Sequence, residues 1–90
     1  MPSGLDIAIS RGALKTLDRL PRDVRARIRA AIERYAQAPG GQRHDVRPIV
    51  GEPGALRLRV GDWRILFRVA GARMEVREIR PRGGAYRRQG

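Results

Sequence analysis

Residues Leu56 to Val69 read LRLRVGDWRILFRV, and the fold turns on how this stretch is divided. Apolar residues alternate with arginine through Leu56-Arg57-Leu58-Arg59-Val60 and again through Trp63-Arg64-Ile65. A period of two marks a strand buried on one side only. Gly61-Asp62 separates the two runs. Glycine accepts the positive φ required at the first central position of a type II′ two-residue loop, so a hairpin is expected here. That loop length sets the register: Val60 opposite Trp63, Arg59 opposite Arg64 and Arg57 opposite Leu66. Leu56, Leu58, Val60, Trp63, Ile65 and Phe67 then share the buried face, and Arg57, Arg59, Arg64 and Arg68 share the other. Like charges directly opposite one another on a sheet are mildly destabilising, and a merely solvated face would mix in acids. This one is arranged to receive an anion.

Upstream, Leu5-Asp6-Ile7-Ala8-Ile9 alternates as a first strand, and Ser10 follows as a helix N-cap. Ala13, Leu14, Leu17 and Leu20 form one stripe at helical spacing, which predicts a short helix closed by Pro21. Pro21 also suits the first turn of a second helix, with Asp23 near its positive end. Val24, Ile28, Ala31, Ile32 and Tyr35 give that helix an apolar face over about four turns, opposite Arg22, Arg25, Arg29 and Glu33. Ala38-Pro39-Gly40-Gly41 breaks it. The stretch through Pro48 reads as connective, Ile49-Val50 as a short extended piece, and Gly51-Glu52-Pro53-Gly54 as the turn into the hairpin.

Downstream, a turn around Ala70-Gly71-Ala72 leads to a last strand from Arg73 to Ile79. Its alternation falters after Val76, because Val76 and Ile79 cannot face the same way in a regular strand. Either a bulge intervenes or both faces are covered there. The tail PRGGAYRRQG is basic and leaves the sheet near the arginine face. The expected class is α+β: an N-terminal strand, a two-helix hairpin, then a mainly antiparallel three-strand meander completing one sheet. Helices cover one face, and the uncovered concave face holds the arginines.

Ninety residues are enough for a single domain, 1–90, with one core. The hydrophobic content of 41% excludes a disordered chain. With no cysteine and one histidine, neither disulfides nor a metal site is expected, and no cofactor is implied. No apolar run approaches a membrane span and no leader pattern is seen, so a soluble cytoplasmic protein is expected. The charge is the most informative quantity: 20 basic against 9 acidic residues give +11. That surplus points to a polyanionic partner, either nucleic acid or an acidic protein that masks it. Lys15 is the one lysine. Arginine presents a planar fork suited to phosphate oxygens but stays protonated, so it makes a poor general base.

The segments DVRPIVGEPGALRLRVGDWRILFRV (Asp45–Val69) and IRPRGGAYR (Ile79–Arg87) resemble the RelE/ParE superfamily of bacterial type II toxins. In step with that pattern are Gly51, Arg57, Arg59, Gly61-Asp62-Trp63-Arg64, Arg82 and Tyr86. The resemblance covers essentially the whole chain. Its RelE branch implies a ribonuclease that cuts messenger RNA in the ribosomal A site, by attack of a ribose 2′-hydroxyl on the adjacent phosphate. A cognate antitoxin would neutralise it, and the pair would act on operator DNA. The residues placed in catalytic positions are Arg59, Arg64, Arg82 and Tyr86, with Arg57 and Arg68 binding phosphate. Where the best-known RelE pattern carries strand lysines, this chain has Arg57 and Arg59, which leaves the general base open. Tyr86, His44 and Glu52 are the candidates.

Two other functions fit the same fold. One is a ParE-like toxin that binds DNA gyrase without being a nuclease, and the other is a lapsed enzyme acting with its antitoxin as a repressor. The remaining features have plainer readings. Asp62 is expected to serve the turn, Trp63 and Tyr35 belong to the core, and His44 sits in a loop.

Overall fold

The hairpin forms in the register that its loop length dictates. In the computed structural model, which describes residues 4–41 and 44–82, β3 (Ala55–Val60) and β4 (Trp63–Ala70) pair antiparallel, with Val60 opposite Trp63, Arg59 opposite Arg64 and Arg57 opposite Leu66. Gly61 has φ of 57°, the positive value that a type II′ loop needs. The β4–β5 turn repeats the device at Gly71, with φ of 61°. β5 spans Arg73–Pro81.

Ahead of the hairpin the chain forms β1 (Asp6–Ile9), α1 (Arg11–Arg19), α2 (Arg22–Gln37) and β2 (Val46–Pro48). The sheet order is β1-β5-β4-β3-β2. β1 runs parallel to β5, and every other neighbouring pair is antiparallel. The fold is therefore α+β as expected, with one strand more than the sequence reading gave. The stretch through Pro48 is not simply connective: Val46 pairs with Leu58, Arg47 with Arg57 and Pro48 with Leu56. Ile49-Val50 belongs instead to the turn that follows. Proline lacks an N–H and is confined to edge strands or bulges, which is where Pro48 lies and why the strand was concealed.

Ser10 caps α1, its hydroxyl accepting from Ala13 N at 3.1 Å. Ala13 and Leu17, one turn apart, are fully buried, and Leu20 is partly so. Leu14 departs from the expected stripe and is 40% exposed. At 100° per residue it sits to one side of the Ala13–Leu17 line, beyond the edge of the contact with the sheet. On α2, Ile28, Ala31, Ile32 and Tyr35 are buried and Val24 is partly so. These stripes meet Leu58, Ile65, Phe67, Met74, Val76 and Ile79 from the sheet, with Tyr35 set edge-on to Phe67 at 4.9 Å between ring centroids. Both helices lie on this one face. No described helix is long and apolar enough to cross a membrane.

Candidate functional site

Pairing across three strands puts Arg59 opposite Arg64 and Arg64 opposite Arg80. Neighbouring strands lie about 4.8 Å apart, so three guanidinium stems stand side by side on the face away from the helices. The next row runs Arg47, Arg57, Leu66 and Glu78 across β2 to β5. Leu66 is the one apolar member of the two rows and is half-buried, and the pairing sends both rows to the open side.

The faltering pattern in β5 is a bulge. Leu66 pairs with Glu78 but Phe67 pairs with Val76, which leaves Arg77 as the extra residue. Val76 and Ile79 can then both reach the core, at 1% and 5% exposure. The same displacement sends both Arg77 and Glu78 to the open face. Ser10 secures the distortion: its N–H donates to Val76 O (2.9 Å) and its hydroxyl donates to Arg77 O (2.8 Å). The residue that caps α1 also satisfies a carbonyl that the bulge would leave without a partner.

These residues enclose a cleft of about 390 Å³. Arg57, Arg64, Arg68, Arg77 and Arg80 line it, with Glu52 and Glu78 as the acids and Ala55, Leu66 and Pro81 among the apolar residues. Five cations face two anions, a surplus of three. Glu78 Oε1 accepts from Arg80 Nε (2.9 Å) and Nη2 (2.7 Å), so Arg80 is the cation already compensated. Arg68 donates from Nη1 to Pro53 O at 3.1 Å and thereby holds the 49–54 turn to the sheet. Gly54 is required there: it has φ of +84°, and a Cβ at that position would lie 3.0 Å from the same Nη1. Arg57 and Arg64 are half-buried, their stems against the sheet.

Of the residues expected from sequence, Arg57, Arg64 and Arg68 line the cleft, whereas Arg59 is exposed outside that lining, opposite Arg64. Arg82 lies just past β5. Its N–H donates to Asp62 O (2.8 Å), and its guanidinium pairs loosely with the Asp62 carboxylate at 3.4 Å. Asp62 is thus a turn residue that also ties down the end of β5; at such exposure the ion pair itself contributes little. Tyr86 lies outside the described residues. Three further charged cleft residues, Arg77, Glu78 and Arg80, were not singled out from sequence. The broken alternation at Val76 to Ile79 was the signal that pointed to them.

Glu52 lines the cleft, whereas His44 does not. The His44 ring packs edge-on to Tyr35 at 4.9 Å, and its Nε2–H donates to Ala38 O at 2.9 Å, on the helix side of the sheet. Burial pushes the Tyr35 phenol above its usual range. Trp63 is half-buried against the core, as its alternation requires.

Known proteins share this fold. The family model of the ParE toxin of type II toxin-antitoxin system, parDE, matches residues 7–86. The RelE toxin fold recurs in the RelB-RelE antitoxin-toxin complex of Methanococcus jannaschii, with 26% identity, TM-score 0.69, and 81% of this chain and 87% of that one covered. It recurs in the archaeal RelE-RelB complex of Pyrococcus horikoshii OT3, with 23% identity, TM-score 0.77, and 91% and 99% covered. It is also seen in the isolated E. coli RelE toxin, with 15% identity, TM-score 0.72, and 87% and 84% covered. No curated protein sequence matches the chain significantly.

Proposed function

Because the chain belongs to the family of ParE toxins of type II toxin-antitoxin systems, within the RelE/ParE superfamily, we propose that it is a toxin acting as a ribosome-dependent messenger RNA endoribonuclease in the cytoplasm. The observation that carries this reading is the uninterrupted Arg59–Arg64–Arg80 row beside a cationic cleft. Cleavage of RNA by its own 2′-hydroxyl needs the attacking and leaving oxygens in line and the phosphorane's extra charge stabilised. Arg57 and Arg59 hold the non-bridging phosphate oxygens through their forks, and Arg64, half-buried between them and β5, stabilises the charge that develops. Arg68 steadies the turn that walls the cleft and adds to its field. Arg82 and Tyr86 take the remaining positions implied by the superfamily pattern, Arg82 held beside the hairpin turn by Asp62.

The same kinship carries a partner. The relatives from Methanococcus jannaschii and Pyrococcus horikoshii were crystallised with RelB antitoxins. By that analogy a cognate antitoxin binds and neutralises this chain, while contact of the pair with operator DNA rests on the superfamily resemblance alone. A second reading is favoured by the family model itself, which is that of the ParE toxins: the protein binds DNA gyrase and blocks replication without cutting RNA.

Primer extension on a reporter message in a purified translation reaction separates the two. Wild-type protein should create new ribosome-dependent 5′ ends, and Arg64→Ala should lose them by about 10²-fold or more while still binding its antitoxin. Intact message with both proteins, together with loss of gyrase supercoiling, would replace the nuclease by the gyrase inhibitor.

A further inference from the structure

We propose that Glu78 is the general base that takes the proton from the ribose 2′-hydroxyl. This rests on the nuclease reading above and fills the gap that the arginines leave, since guanidinium groups do not give up their protons at neutral pH. The β5 bulge carries Glu78 onto the arginine face, in one row with Leu66 and Arg57. The charged groups around it are Arg57 from β3, Arg64 and Arg68 from β4, Arg77 and Arg80 from its own strand, and Glu52 from the 49–54 turn.

Both contacts from Arg80 fall on Oε1, at 2.7 and 2.9 Å. They engage Oε1 and leave Oε2 as the oxygen that accepts a proton. Arg57 and Arg64 line the same cleft as Glu78, so a phosphate held by the two arginines has its neighbouring ribose in the space that the carboxylate borders. Glu52 is the other carboxylate of the cleft, but it stands on a turn, whereas Glu78 is held on a paired strand beside the arginine row, where geometry is better fixed. His44 is on the wrong side of the sheet.

In the reaction Glu78 takes the 2′-hydroxyl proton as the 2′-oxygen bonds to phosphorus. The bond from phosphorus to the 5′-oxygen breaks, and that oxygen receives a proton from water. The products are a 2′,3′-cyclic phosphate and a 5′-hydroxyl, and Glu78 returns its proton to solvent.

The test uses the full chain on preassembled ribosome–message complexes, measuring single-turnover cleavage between about pH 6.5 and 8.5. The wild-type rate at each pH is the reference. Glu78→Gln should cut about 10²-fold more slowly at neutral pH, with a rate rising about tenfold per pH unit as hydroxide takes over the proton. Its affinity for a message carrying a 2′-deoxyribose at the cleavage point should be unchanged or higher, because a negative charge has left a cationic cleft. Glu75→Gln is the control. Glu75 lies on the same strand, opposite Arg68, and pairs with Arg73 at 3.1 Å without lining the cleft, and its loss should change the rate far less than Glu78→Gln does.

A Glu78→Gln enzyme that cuts at the wild-type rate at each pH, or a Glu75→Gln enzyme equally impaired, overturns the assignment of the base while the nuclease stands. A wild-type protein that cuts nothing overturns both.

Discussion

The two faces of the central sheet are written by the same strands and solve opposite problems. On the helix side, Val46, Leu58, Ile65 and Ile79 make an apolar row across four strands, and Leu56, Phe67, Val76 and Ile9 make another. On the open side, the row between Arg59 and Arg80 is all cation. Burying one large apolar side chain contributes about 1.5–3 kcal/mol, whereas each like-charged cross-strand pair costs some tenths of a kcal/mol. The first face can therefore carry the repulsion stored in the second. Stability resides on one side of the sheet, and the unfavourable arrangement that binding requires resides on the other.

That division can be broken from either side. Phe67→Ala, which empties a fully buried position, should cost about 3–5 kcal/mol, read as a lower denaturant midpoint and loss of every activity together. Arg64→Ala should do the converse, changing stability by no more than about 0.5 kcal/mol while cleavage is lost. Ser10→Ala acts on the seam between the two, since Ser10 caps α1 and holds the bulge carbonyl. It should destabilise by about 1 kcal/mol, and hydrogen exchange should quicken at the start of α1 and around Arg77 before it does in β3 and β4. One further substitution has the opposite sign. Arg59→Glu replaces a like-charged pair by an opposed one and should stabilise the protein by about 0.2–1 kcal/mol in thermal or chemical denaturation, while weakening RNA binding. A destabilised Arg59→Glu variant would mean that the arginine row is not under electrostatic tension.

The hairpin, its register and its two faces were legible because a two-residue loop with glycine in the positive-φ position leaves a single pairing that keeps six apolar residues together. The helices were legible from their stripes, apart from Leu14, whose spacing fits the apolar face but whose angle falls beyond the contact. β2 was hidden by Pro48, a residue that argues against a strand everywhere except at an edge. The site was half visible. Arg57, Arg59, Arg64 and Arg68 lie on strands whose alternation is clean, so their face could be assigned. Arg77, Glu78 and Arg80 depend on the bulge. Sequence marked a conflict between Val76 and Ile79, but only pairing with β4 shows which residue is extruded and that the extrusion turns a glutamate toward the arginines. Tyr86 lies outside the described residues, and its role rests on the superfamily pattern alone.

The central claim is that the arginine face binds the phosphates of single-stranded RNA, and the most direct measurement is the salt dependence of binding to a short RNA that cannot be cleaved. Each phosphate neutralised contributes a slope of about −0.7 in log affinity against log salt. The wild-type protein should show a slope equivalent to several contacts, and Arg64→Ala a slope shallower by about one contact, with the fold intact. Equal slopes for the two proteins would contradict the claim and place the RNA, if it binds at all, on some other surface.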